Sequence, residues 1–186
     1  YLIKKFADMQ KKNAGEFYTP REIVKMMVSL LEPKPGETVY DPACGTGGML
    51  SVAQNKMQAL NATTRVIPFG QELNPETYAT CCSDMILKGN TNSRIVLGNS
   101  FNEDGFQGQT FDYMLSNPPF GVEWKKVEKF IKDEAKSKGY SGRFGAGLPR
   151  ISDGSFLFLQ HLISKMNVPG NGGSRIGIVF NGSPMF

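Results

Sequence analysis

Histidine is nearly absent from this chain: of 186 residues, only His161 is one. That removes most histidine-based metal sites and leaves little room for a Ser-His-Asp triad. Cysteine is sparse as well. Three cysteines, two of them adjacent at Cys81 and Cys82, make neither a disulfide framework nor a zinc-ligand spacing. A reducing compartment, the cytoplasm by default, follows from that usage. No apolar run reaches the length of a membrane span, and no signal-peptide pattern is present. A phosphate-binding Walker loop is missing too, because no Gly-Lys-Ser/Thr follows the glycine cluster at 45–48.

What is present is an ordinary globular composition, 40% hydrophobic and 20% charged, in a length that suits one domain with a real core. The net charge of +4 is unevenly placed. Between Gly121 and Arg150, eight basic residues (Lys125, Lys126, Lys129, Lys132, Lys136, Lys138, Arg143, Arg150) face four acids (Glu123, Glu128, Asp133, Glu134), so this segment carries the whole excess. Such a segment suits a polyanion such as nucleic acid, although a solvated lysine-rich helix face has the same composition. The start at Tyr1 and the stop just after an apolar strand read as a piece of a longer protein, with residues 1–14 closing a preceding helical region.

Along the chain, Thr19 reads as a helix N-cap, Pro20 as the first helical residue and Glu22 as the partner closing a Thr-x-x-Glu capping box. The helix that follows is expected to bury Ile23, Met27, Leu30 and Leu31 and to end before Pro33. Phe17 and Tyr18, just outside it, pack on its start or face a ligand. Glu37–Tyr40 reads as a strand, then Asp41-Pro42-Ala43-Cys44-Gly45-Thr46-Gly47-Gly48 opens a helix. Strand, glycine turn, helix is the nucleotide-binding arrangement of doubly wound folds. Asp41 at the strand tip, an acid where a phosphate loop avoids one, suits a cationic ligand such as the ammonium of an amino-acid moiety.

Arg65–Phe69 is expected to be the second strand, with Pro68 unusual for a central position. Glu72 follows Gly48 by 24 positions, near the ~20-residue offset of a ribose-binding acid. Asn74 and Pro75 begin a helix to about Lys88. Arg94–Leu97 and Phe111–Ser116 are further strands. Gly139–Pro149 reads as a mobile glycine-rich loop. Ser152 or Asp153 caps a helix from Ser155 to about Met166 with Phe156, Leu159, Leu162 and Ile163 inward, and His161 on it reads as structural. A loop at Gly170–Gly173 leads into a last strand, Arg175–Phe180, which ends in Asn181-Gly182-Ser183-Pro184. The alternation of helices and strands gives an α/β fold with a doubly wound, mostly parallel sheet.

At the end of the Phe111–Ser116 run stands Asn117-Pro118-Pro119-Phe120. Pro118 has no N–H and its ring keeps Asn117 out of helical geometry, so the chain leaves the sheet in a stiff extended loop. That loop presents an amide, free carbonyls and a flat ring at the carboxyl edge, where open α/β sheets hold ligands. Asn-Pro is also a common turn opener, so the local chemistry alone leaves site and turn both open.

Taken together, these residues resemble the S-adenosylmethionine-dependent DNA adenine-N6 methyltransferases, and above all the modification subunits of type I restriction-modification systems. The resemblance runs from Gly15 to the C-terminus. It implies a Rossmann-like class I methyltransferase fold, cut short at its C-terminal end, with residues 1–186 as a piece of the catalytic domain. Glu16-Phe17-Tyr18-Thr19-Pro20-Arg21 is similar to the family's N-terminal cofactor motif, and Asp41, Ala43, Gly45, Thr46, Gly47 and Gly48 to its glycine-rich motif. Glu72 matches the acid on the ribose hydroxyls. Asn99 falls where the family usually has an aspartate near the cofactor adenine. Asn117, Pro118, Pro119 and Phe120 match the catalytic motif, and no metal is implied. The implied partners are double-stranded DNA, a specificity subunit, a restriction subunit and a second modification subunit. Glutamine-N5 methyltransferases of proteins and some RNA adenine methyltransferases share Asn-Pro-Pro-aromatic, and a cofactor- or DNA-binding piece inactive by itself is a further alternative.

Overall fold

The computed structural model describes residues 19–60 and 66–180. The expected helix over 1–14, the residues Glu16, Phe17 and Tyr18, the start of the second strand at Arg65 and the turn at 181–184 lie outside them. Within them the order is α1 (Arg21–Leu31), β1 (Thr38–Asp41), α2 (Gly48–Leu60), β2 (Ile67–Glu72), α3 (Pro75–Leu87), β3 (Arg94–Leu97), β4 (Tyr113–Ser116), α4 (Glu128–Lys138), α5 (Ser155–Ser164) and β5 (Arg175–Ile178). The strands form one sheet in the order β3-β2-β1-β4-β5, every pair parallel.

Alternation along the strands sorts the core into two layers. Val39, Tyr113 and Leu115 point to the side covered by α1, α2 and α3, where Val28, Leu50, Met57, Cys81 and Met85 complete the packing. Tyr40, Phe69 and Met114 point to the other side, onto Phe106, Phe111 and Leu162 of α5. A third cluster of Phe101, Trp124, Ile131, Phe144 and Leu157 fastens α4 to α5 and to the loop after β3.

Several elements differ from the sequence-based expectation. No capping box forms at Thr19: α1 begins at Arg21, Pro20 is its N-cap, and no side chain caps it. The buried face of α1 is Val24, Met27 and Val28, whereas Ile23 and Leu30 are exposed. Both faces of this helix carry apolar residues, so periodicity could not fix its phase. β2 starts at Ile67 and runs on to Glu72, with Pro68 inside it. Ile67 N–H bonds the Glu37 carbonyl on the β1 side, so the next amide, that of Pro68, faces β3. Pairing with β3 begins only at Phe69–Arg94, so the missing N–H costs no ladder bond. β4 begins at Tyr113, Phe111 making an isolated bridge to Met166 instead. α5 ends at Ser164 and buries Leu157, His161 and Leu162, with Ile163 exposed.

Segment 139–149 is tied down rather than loose. The Arg143 guanidinium donates to both Glu134 oxygens, to the Ser100 and Phe101 carbonyls and to His161 Nδ1. A guanidinium can only donate, so Nδ1 accepts and the ring proton sits on Nε2, facing Tyr40 Oη at 3.0 Å. Burial depresses the His161 pKa to about 3, the nearby Asp104 charge pulling against it and the charges of Arg143 and Lys165 adding to it. His161 is a neutral structural strut, as expected.

Candidate active site

Strand order reverses between β1 and β4, and the crevice beyond the carboxyl ends of such a pair is where doubly wound sheets bind ligands. β1 ends there in Asp41, and β4 in Ser116 with Asn117 next. A cavity of about 110 Å³ opens at this point, walled by Asp41, Ala43, Cys44, Gly45, Thr46, Gly48 and Met49 from the β1–α2 turn, by Thr19 and Val24 from the start of α1, and by Asn117. The chain therefore gathers three motifs whose outer members, Thr19 and Asn117, lie 98 residues apart in sequence. A larger groove of about 600 Å³ between the loop 102–110, α4 and α5 touches none of these residues.

Asn117 is the pivot of the crevice. Its Nδ2 donates to Thr19 Oγ1 at 2.8 Å, while its Oδ1 is buried and has no hydrogen-bond partner among the described residues. A buried acceptor left unmade costs about 1–3 kcal/mol, a cost that a donor entering the crevice would remove. Thr19 is thus no helix cap; its hydroxyl is turned to the crevice and holds the amide.

Asp41 is almost fully buried, and its Oδ1 accepts from Ala43 N–H at 3.0 Å and Ser116 Oγ at 3.0 Å. Desolvation raises its pKa to about 7, those two hydrogen bonds pulling against it and the Glu72 charge adding to it. A carboxyl so desolvated gains strongly from a cation brought alongside.

Glu72, at the tip of β2, accepts from Gly45 N–H at 2.9 Å through one oxygen and from Asn74 N–H at 2.8 Å through the other. Asn74 Oδ1 in turn caps α3, accepting from Glu76 and Thr77 amides as the sequence implies. Two glycines are needed for close approach. Gly47 has φ +78°, and a Cβ there would lie 2.6 Å from Met85 Cε and 2.8 Å from Cys81 Sγ. Gly70, inside β2, lets Cys44 Sγ approach to within 2.8 Å of where its Cβ would be.

Not every expected residue reaches the cavity wall. Pro20 and Arg21 are exposed at the start of α1, and Asn99, beyond β3 on the same edge, folds its Oδ1 back onto Phe101 N–H at 2.9 Å. Pro118 is buried and Pro119 and Phe120 are half-buried beside Asn117. Sequence reasoning missed Ser116 and Gln71. Gln71, fully buried, bonds the Glu103 carbonyl and the Gly105 amide and so shapes the loop after β3. A polar residue closing an apolar strand was the available signal for each. Among the described residues no group of His, Cys, Asp or Glu is placed to hold a metal, and no helix is long and apolar enough to cross a membrane.

A five-stranded parallel sheet with its crevice at a β1/β4 switch is the class I methyltransferase fold. At 15% identity and a TM-score of 0.65 it superposes on a Listeria monocytogenes protein described as a class I S-adenosylmethionine-dependent methyltransferase, covering 88% of this chain and 48% of that one. The chain belongs to the N-6 DNA methylase family, whose model matches residues 1–186. Its S-adenosylmethionine cofactor goes with that membership. The type I restriction-modification methyltransferase subunit of Streptococcus thermophilus is 35% identical with a TM-score of 0.72, over 89% of this chain and 35% of that one. The type I restriction enzyme MjaIX methylase subunit of Methanocaldococcus jannaschii is 29% identical over 88% of this chain and 29% of its own length. The chain thus spans roughly a third of the length of the relatives it matches.

Proposed function

We propose that this chain is the catalytic core of a DNA adenine-N6 methyltransferase, the modification subunit of a type I restriction-modification system. One observation carries the reading above the others: the buried, unpartnered Oδ1 of Asn117 in a cavity shared with the glycine turn. An adenine exocyclic amine is a poor nucleophile because its lone pair is delocalised into the ring. Asn117 Oδ1 and the Pro118 carbonyl accept its two N–H bonds and draw that lone pair out of conjugation with the ring, localising it on the nitrogen. Phe120 stacks on the base, which is flipped from the duplex to reach the crevice. Orientation and preorganised acceptors supply the catalysis, so no strong base is required.

S-adenosylmethionine supplies the electrophilic methyl group. The residues present fit it: Asp41 for the ammonium of the methionine part, the Gly45–Gly48 turn for close backbone approach, and Glu72 for the ribose hydroxyls. By the family resemblance, the motif Glu16-Phe17-Tyr18-Thr19-Pro20-Arg21 belongs to the methionine end of the cofactor and Asn99 to the adenine end; of these only Thr19 lines the cavity among the described residues. The likeness to methylase subunits of type I restriction enzymes supports DNA as the substrate; we infer a specificity subunit, a restriction subunit and a second modification subunit as partners, and the cytoplasm as the place of action.

The test is Asn117→Ala in the intact protein assembled with its specificity subunit. Transfer of labelled methyl to plasmid DNA should be abolished, while cofactor affinity by calorimetry changes less than about threefold. Equal loss of both would remove Asn117 from its role, and labelling of cellular protein rather than DNA would change the substrate.

A further inference from the structure

The basic segment 121–150 is not a uniform cloud of charge. Arg143 turns inward onto Glu134 and His161, and Lys132 pairs with Glu128 at 2.5 Å. Lys125, Lys129, Lys132 and Lys136 recur at steps of four, three and four residues, and all four are exposed. At 3.6 residues per turn, such steps bring them into one narrow stripe along α4 and the turn before it. Val127, Ile131, Glu134 and Ala135 occupy the opposite side, packed toward Trp124 and Phe144 or under Arg143. The stripe therefore faces solvent because its reverse side is the anchor.

Its placement relative to the crevice is rigid. Only Gly121–Glu123 separate Phe120 from Trp124, whose Nε1 donates to the Arg150 carbonyl at 3.0 Å and whose amide donates to Ile151 at 3.1 Å. Gly154 N–H closes the loop onto the Val122 carbonyl at 3.0 Å. The line of ammonium groups is thus braced to the loop that carries Asn117.

We propose that this face of α4 is a track for the phosphate backbone of one strand of duplex DNA beside the target base. The inference rests on the DNA methyltransferase reading above. Eleven residues of helix span about 16 Å, the axial length of roughly five phosphates of one strand at ~3.4 Å each. Lysines bring point charges that position a duplex without reading its sequence, which suits a subunit whose target choice lies elsewhere. A protein partner is the poorer fit, because protein interfaces are depleted in lysine and rich in aromatic, methionine and arginine anchors, none of which lies in the stripe.

Lys125→Ala/Lys129→Ala/Lys136→Ala in the intact protein tests this, since alanine on an exposed helix preserves folding. Binding to a short fluorescent duplex is measured over a range of salt. The slope of log K against log salt should become shallower by about 0.9 per lysine, equally for target and scrambled sequences. Melting temperature and cofactor affinity should not move, nor should Lys34→Ala, at the other end of the sheet, alter the slope. If wild type binds DNA and the triple variant keeps its full salt slope, the track is wrong while the enzyme reading stands. If the variant keeps the slope but no longer assembles with the specificity subunit, the stripe is a protein interface and the inference is overturned. If wild type neither binds nor methylates DNA, the reading beneath it fails.

Discussion

At the scale of the residue, the proposed chemistry rests on a single amide. Asn117 presents two nearly identical ends; its Nδ2 is taken by Thr19 Oγ1, which leaves Oδ1 as the end without a partner. Thr19→Val removes that acceptor and frees the amide to turn, so methyl transfer should fall about 10- to 100-fold, the worth of one lost buried hydrogen bond. The loss should appear in kcat, and Thr19→Ser should restore it. Asp41 gives a pH signature. Its pKa stands near 7 without a ligand, and a bound cation favours the ionised form. Cofactor affinity should therefore rise about tenfold per pH unit up to about pH 7 and level off above, a dependence that titration calorimetry reads and that Asp41→Asn should flatten. Gly47→Ala should cost roughly 1–3 kcal/mol in urea unfolding, since a positive φ and two sulfur-side contacts under 3 Å both oppose a methyl.

Among the elements, the arginine clamp on 139–149 does most to correct what the sequence implies. Four glycines and a proline from Gly139 to Pro149 read as a loose loop. Order there comes from one guanidinium reaching partners nine, eighteen and more than forty positions away, which no local pattern records. Burial alone would raise the Glu134 pKa, but the Arg143 hydrogen bonds and charge outweigh it and hold the carboxyl below its usual range. Arg143→Ala leaves that buried carboxylate unpaired. It should destabilise the protein by about 3–5 kcal/mol and speed amide exchange first in 139–147, with β1 and β4 the last to follow. Elsewhere the elements were legible where chemistry was local. The Asn74-Pro75 start of α3 and the Arg94–Leu97 strand stand as expected, because a cap and a short apolar run need no distant partner. The phase of α1 was not legible, since Ile23, Met26 and Leu30 on its outer face are as apolar as the buried Val24, Met27 and Val28. Thr19 was misread for a related reason: its cap pattern is local, but its partner lies 98 positions on.

For the whole molecule, two buried titrating groups act in opposite directions. Folded Asp41 keeps its proton up to about pH 7, whereas an unfolded aspartate releases it near 3.8, so its contribution to stability is lost as pH rises through that window. Folded His161 refuses a proton down to about pH 3, whereas an unfolded histidine takes one near 6.5, so its contribution is lost as pH falls through that one. Between about pH 4 and 6.5 the two slopes oppose each other, and urea unfolding of the wild type should change little from this pair. Asp41→Asn should uncover the histidine, giving stability that declines steadily with acid below about pH 6.5. The parallel sheet itself was legible, because alternating helices and strands permit few other arrangements. The pairing of crevice and basic helix was legible only as proximity in sequence; its rigidity depends on Trp124 and Gly154, whose bonds cross the loop. Glu72 carries a different kind of consequence. One carboxylate is shared by the amides of Gly45 and Asn74, so the β1–α2 and β2–α3 turns cannot breathe independently. Their fluctuations are correlated through a single side chain. A ligand that engages either turn must then be felt at both, and the crevice fills as one event instead of subsite by subsite.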